Sequence, residues 1–217
     1  MTRTRIGGWA ALTAVVASAL LATAFYVFIH GSTGEDRNGS FLGFEGLAVG
    51  RAGVVTGAAM LLLVWGLYPL VSPRPGPRRG AVTAGVGAAA FLLGRVLQTW
   101  LANPQDPDDF AGVRVTLGFY VESLGTLLFG VGFLVLAVSG RALLPRSMRL
   151  GCLFICVGTW LPLLSPALIP DHAGVLGWDV AAVLLALPQW IGLVLVGTGL
   201  LCSLTRVVSA AAVDTAA

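Results

Sequence analysis

Six stretches of this chain are apolar over a length with physical meaning. Residues 6–29, 47–71, 81–102, 113–138, 150–169 and 180–204 run for 20 to 26 residues each, separated by short segments rich in proline, glycine and charge. A helix rises about 1.5 Å per residue, so roughly 20 apolar residues cross the hydrocarbon core of a bilayer. Every run meets that length, and what remains is loops and short tails with no room for a soluble domain. The pattern predicts an all-α, polytopic integral membrane protein: one domain over residues 1–217, built as a bundle of six transmembrane helices. The first run has a rival reading, because Arg3 and Arg5 followed by an apolar stretch with Ala22-Thr23-Ala24 look like a secretory signal with a cleavage site. A signal's apolar region is roughly 7 to 15 residues, so an uncleaved first helix is expected.

Composition agrees with the pattern. Hydrophobic residues make up 57% of the chain and charged ones 11%, with a mean hydropathy of +0.89; a water-soluble domain of this size is excluded. The charges also orient the bundle. All 13 basic residues are arginine. Nine of them (Arg3, Arg5, Arg74, Arg78, Arg79, Arg141, Arg146, Arg149 and Arg206) fall in the tails and loops of one side, whereas the opposite loops hold only Arg37, with Glu35, Asp36, Asp106, Asp108, Asp109 and Asp171. Short cytoplasmic loops retain arginine, so both termini are expected in the cytoplasm, and six spans agree with that parity. The localisation implied is the plasma membrane, multi-pass. The net charge of +3 is an orientation signal with some attraction to anionic headgroups, and nucleic acid is not the partner it implies.

Local composition adds detail. The segment Ser72-Pro73-Arg74-Pro75-Gly76-Pro77-Arg78-Arg79-Gly80 reads as a stiff turn whose prolines oppose helix. Many of the 29 glycines lie inside spans at small-residue spacings, such as Gly53 with Gly57 and Gly85 with Ala89. They let helix backbones approach closely, within the chain first and in a homo-oligomer second. Pro162 and Pro166 interrupt the fifth run and Pro188 the sixth, which predicts kinks there. Cys152, Cys156 and Cys202 lie toward the cytoplasmic ends of spans, where thiols stay reduced, and read as small packing residues rather than a disulfide or metal set.

Ionisable groups inside spans cost roughly 2.5–3.5 kcal/mol each on insertion scales, so each calls for a partner or a wet cavity. This chain places three arginines (Arg51, Arg95, Arg114) and three acids (Glu45, Glu122, Asp179) at and below the outer surface, and none in the cytoplasmic half of any span. Each acid follows a glycine and an aromatic: Gly43-Phe44-Glu45, Gly118-Phe119 with Glu122 three further on, and Gly177-Trp178-Asp179. The six charges either pair to fix helix packing or line a pocket opening outward. In the second reading Glu45, Arg51, Arg95, Arg114, Tyr120 and Trp178 bind ligand, while Glu122 and Asp179 are the candidate catalytic acids.

Other polar groups carry less. His30 and His172 read as interfacial, solvated residues, so no metal and no cofactor is expected. Trp100, Trp178 and Tyr26 on the outer side, with Trp65 and Tyr68 on the inner, form an aromatic belt. The outer loop string Asp106-Pro107-Asp108-Asp109 resembles the Asp-x-Asp-Asp pattern of class II terpene cyclases, where an aspartic acid protonates an isoprenoid. Those enzymes are soluble and built on helical barrels, whereas this loop faces water between spans. There is no phosphate-binding Gly-x-x-x-x-Gly-Lys, no His-Glu-x-x-His, no Gly-x-Ser-x-Gly and no Cys-x-x-Cys. The absence of lysine also excludes Schiff-base chemistry. Three function classes remain. One is a permease-like or accessory protein whose outward-facing charged pocket binds a small or amphiphilic ligand. A second is a membrane-embedded enzyme acting on a lipid or isoprenoid, and a third is a structural subunit of a membrane complex.

Overall fold

The computed structural model describes residues 2–31, 40–41, 44–100, 111–161 and 184–203. Among them are six helices: α1 (Thr2–Gly31), α2 (Gly46–Val71), α3 (Pro75–Trp100), α4 (Ala111–Ser139), α5 (Arg146–Trp160) and α6 (Leu184–Ser203). Two two-residue strands, β1 (Ser40–Phe41) and β2 (Phe44–Glu45), pair antiparallel just before α2. A short 3₁₀ turn, Gly140–Ala142, links α4 to α5. Each apolar run thus coincides with a helix, although the described part of α5 stops short of the end of the fifth run. Among the described residues four stretches, Gly53–Val71, Pro75–Gln98, Leu117–Ala142 and Leu184–Ser203, are long and apolar enough to cross a membrane.

One boundary corrects the sequence reading. The proline-rich turn ends at Arg74, and Pro75 to Gly80 are already the start of α3. The physical reason is position. The first amides of a helix have no intrahelical acceptor, so Pro75 and Pro77 give up nothing in the first turn, and the fixed proline φ favours the helical conformation there. Arg78 then donates its backbone N–H to the Arg74 carbonyl at 3.0 Å.

Glycines place the helices against one another. On α1 and α2, Gly7 and Gly66 meet backbone to backbone. On α2 and α3, Gly53 lies against Arg95, Gly57 against Phe91 and Leu92, and Gly85 against Val64. As one helix rises in number the other falls, so the pair is antiparallel. The same holds for α5 with α6, where Gly151 meets Gly192 and Gly158 meets Gln189. It holds also for α6 with α1, where Gly8 meets Leu201 and Ala11 meets Gly197. Each helix therefore lies against its sequence neighbours, and the last returns to the first.

Among α1 to α5 the most extensive interface is α3 with α4. It rests on two glycine rows of seven-residue period, Gly80, Gly87 and Gly94 on α3 and Gly118, Gly125 and Gly132 on α4, which interleave. A Cβ on Gly94 would lie 2.6 Å from the Gly118 carbonyl oxygen, and one on Gly80 would lie 2.9 Å from that of Gly132. A repeat of seven keeps one stripe facing the partner along the whole contact. Inside the ring the core is apolar, with Phe129, Phe133, Leu63, Leu67, Leu136 and Met148 fully buried and the Phe129 and Phe133 rings 4.8 Å apart.

Candidate functional site

The alternating helix directions put Arg3, Arg5, Arg74, Arg78, Arg79, Arg141, Arg146 and Arg149 at one end of the bundle. Arg95 lies 20 residues along α3 from Pro75, about 30 Å of helix away, toward the other end. There α3 and α4 bring together three polar side chains. Arg95 Nη2 is 2.6 Å from Glu122 Oε1, and Gln98 Nε2 donates to Glu122 Oε2 at 2.7 Å. Both carboxylate oxygens are thus engaged. Glu122 is 14% exposed and Arg95 28%, so the pair is sheltered at a helix interface and still reachable.

Local sequence explains this geometry. Arg95 and Gln98 are three apart on α3 and share a face. Gly94 and Gly118 are the end members of the two glycine rows. A Cβ on Gly94 would press on the Glu122 amide nitrogen at 2.6 Å, and one on Gly118 on Gln98 Cγ at 2.8 Å. The close approach of the two backbones is what brings a glutamate within direct reach of both α3 partners. From the third helix, Gly53 of α2 leaves room for the arginine stem, with Arg95 Cδ 2.9 Å from where its Cβ would stand. The guanidinium lies 5.5 Å over the Phe91 ring, a cation–π contact that favours holding the charge among apolar walls. Arg95 Nε is buried and has no hydrogen-bond acceptor among the described residues.

Of the residues expected to form a site, the structure brings Arg95 and Glu122 into direct contact. Tyr120 is 66% exposed and stacks edge-on with Phe119 at 6.1 Å, on the outer surface of α4. Glu45 lies in β2, opposite Ser40, at the entrance to α2. Arg51 and Arg114 belong to α2 and α4. Arg51 precedes Gly53 by two residues, so its backbone stands level with the last turn of α3. Trp178 and Asp179 lie outside the described residues, as do His172 and the acidic string Asp106 to Asp109. Gln98 and Gly53 are the members sequence reasoning missed; the signal for Gln98 was its helical spacing from Arg95. Among the described residues no group of three His, Cys, Asp or Glu side chains is placed to hold a metal ion.

Comparisons with known protein families, with curated proteins and with solved structures return no match.

Proposed function

We propose that the chain is a small integral membrane protein of permease-like or accessory type, multi-pass in the plasma membrane with both termini cytoplasmic, which binds a small or amphiphilic ligand at the outer-end polar cluster. The membrane reading is supported by the outer surface. Val16, Leu20, Leu93, Leu124, Val138 and Leu184 are among many large apolar side chains that face outward on the helices. Such a belt is a liability in water and is solvated by lipid. The cytoplasmic placement of the termini is supported by the arginines gathered at one end.

One observation carries the binding reading. Arg95 is part-exposed and ion-paired, and it keeps a buried Nε donor without an acceptor among the described residues. A carboxylate, phosphate or hydroxyl oxygen entering from the outer side would complete it. Toward the arginine end the core is closed by Phe129, Phe133 and Leu136, which favours a one-sided site over a path through the bundle. The enzyme reading has a narrower basis, because a general acid needs a proton of its own to give and both Glu122 oxygens accept from donors.

Two measurements test the proposal. Cys202 on α6 is exposed near the arginine end, and in a variant lacking Cys152 and Cys156 an impermeant maleimide should label it only from the cytoplasmic side. Labelling from outside overturns the orientation. For binding, the detergent-solubilised protein is screened by thermal shift against short-chain carboxylic acids and lysophospholipids. A compound that stabilises the wild type should lose that effect in Glu122→Gln and in Arg95→Gln, and undiminished stabilisation in both overturns the assignment of the cluster as the site.

A further inference from the structure

The opposite end of the molecule carries a second arrangement, built on the outside of α2 and α3. A groove of about 530 Å³ runs between them, walled by Leu61, Trp65 and Tyr68 from α2 and by Ala81, Val82 and Gly85 from α3. Gly85 keeps it open, since a Cβ there would meet only Val64, at an ordinary 3.6 Å. Beside it a smaller recess of about 410 Å³ is lined by Pro75, Arg78, Arg79, Val82 and Thr83. Val82 is a wall of both. Arg78, Val82 and Gly85 stand at i, i+4 and i+7, so a basic group and an apolar slot follow one another along a single face of α3. From α1, Arg3 lies 5.0 Å over the Trp65 ring that walls the groove.

Charge decides what fits. The segments at this end, residues 1–5, 72–80 and 139–149, contain eight arginines and no aspartate or glutamate. Arg78 and Arg79 are exposed, and none of these three segments supplies a carboxylate to them, so an anionic group from outside would balance their charge. Guanidinium groups bind phosphate oxygens in a bidentate way, and basic recesses at the cytoplasmic face of membrane helices match anionic headgroups. An apolar occupant alone would leave the arginines unused, and a free anion would leave the groove unused.

We propose that this face binds one anionic phospholipid of the cytoplasmic leaflet, with an acyl chain in the α2–α3 groove and the phosphate at Arg78 and Arg79. The site is separate from the polar cluster and rests on the membrane reading and, for the leaflet, on the proposed orientation.

The test is native mass spectrometry of the detergent-extracted protein, offered equal amounts of phosphatidylglycerol and phosphatidylcholine with the same acyl chains. The wild type should retain phosphatidylglycerol in about tenfold preference. Arg78→Gln with Arg79→Gln should abolish the preference, and Gly85→Leu, which fills the groove and leaves the charge, should lower retention of lipid. Arg74→Gln with Arg146→Gln, at the same end but outside the recess, should leave the preference intact. Equal retention of the two lipids overturns the proposal. So does an equal loss in the Arg74 and Arg146 variant, which would mean a diffuse basic surface, or displacement of the lipid by millimolar inorganic phosphate, which would mean an anion site. A protein that partitions into the aqueous fraction without detergent overturns the membrane reading itself, and that result is seen before any lipid is added.

Discussion

Gly87 and Gly85 stand two residues apart on α3, and the structure assigns them opposite consequences for the same substitution. Gly87 belongs to the row that interleaves with α4: a Cβ there would overlap the Phe129 amide nitrogen and lie 2.7 Å from the Gly125 carbonyl oxygen. Ordinary contact begins at 3.4 Å, so Gly87→Ala forces the two backbones apart by about 0.7 Å or more, and no flexible side chain can give way instead. With backbone on both sides, the cost falls in the upper half of the roughly 1–3 kcal/mol typical of overpacking. Removing glycine's extra backbone freedom returns about 0.5–1 kcal/mol. The net is a loss of about 1–2 kcal/mol. At Gly85 the added methyl meets only Val64 at 3.6 Å, so Gly85→Ala keeps the conformational gain of about 0.5–1 kcal/mol.

For a chain of this size 1 kcal/mol moves the melting temperature by roughly 2–4 °C. Gly87→Ala should therefore melt roughly 2–8 °C below the wild type and Gly85→Ala roughly 1–4 °C above it. Cys152 and Cys156 are buried and Cys202 exposed, so in a Cys202→Ser background a thiol-reactive fluorophore added to the detergent-solubilised protein reports exposure of the buried pair as the bundle opens. If Gly87→Ala proves as stable as the wild type, the glycine rows do not face each other and the α3–α4 register described above is wrong.

The polar cluster makes its own predictions. Arg95→Gln should destabilise the protein by about 1–3 kcal/mol, below the 3–5 typical of a fully buried pair because both groups are part-exposed. Arg95→Leu combined with Glu122→Leu should recover most of that loss, and a double-mutant cycle by thermal unfolding that shows no coupling would separate the two residues. Gly53→Ala should shift the arginine stem at small cost in stability, since the group it meets is a flexible side chain, and should weaken the Arg95–Glu122 coupling measured by the same cycle. In single-cysteine variants, Cys202 should react with maleimide in the folded protein and Cys152 only on unfolding, because the first is exposed and the second fully buried; equal rates would contradict the packing of α5.

Helix positions were legible in the sequence because length and hydropathy act over 20 residues at a time, and single polar residues do not break such a run. The start of α3 was not, because a proline's meaning depends on whether it falls before a helix, in its first turn or inside it, and Pro75 and Pro77 fall in the first turn. Depth along a helix was legible as well: counting residues puts Arg95 and Glu122 within about one helical turn of each other in depth, and they meet. What counting could not give was azimuth. Whether a side chain faces a neighbour or lipid depends on which helices pack together, and so Tyr120, expected at the site, faces outward, while Gln98 and Gly53 were overlooked. The glycine rows escaped for the same reason. With 29 glycines in the chain, a spacing of seven on one helix carries little information until the antiparallel partner with the matching spacing is known.

Those rows bear on why the ion pair exists. Placing two ionised side chains within a hydrocarbon-length helix pair costs roughly 5–7 kcal/mol before they are matched, and a buried ion pair is often no better for stability than apolar residues of the same shape. If α3 and α4 depended on Arg95 and Glu122 for their association, that cost would have a structural explanation. The helices already lie against one another from Gly76, beside Ser139, to Gly118, beside Gln98, through close contacts that involve no charge. Close glycine packing also maximises the dispersion and backbone contacts that associate helices in lipid, where no hydrophobic driving force acts between them. Helix association then does not depend on the pair, and its part-exposed position at the end of the stripe fits the binding role proposed above.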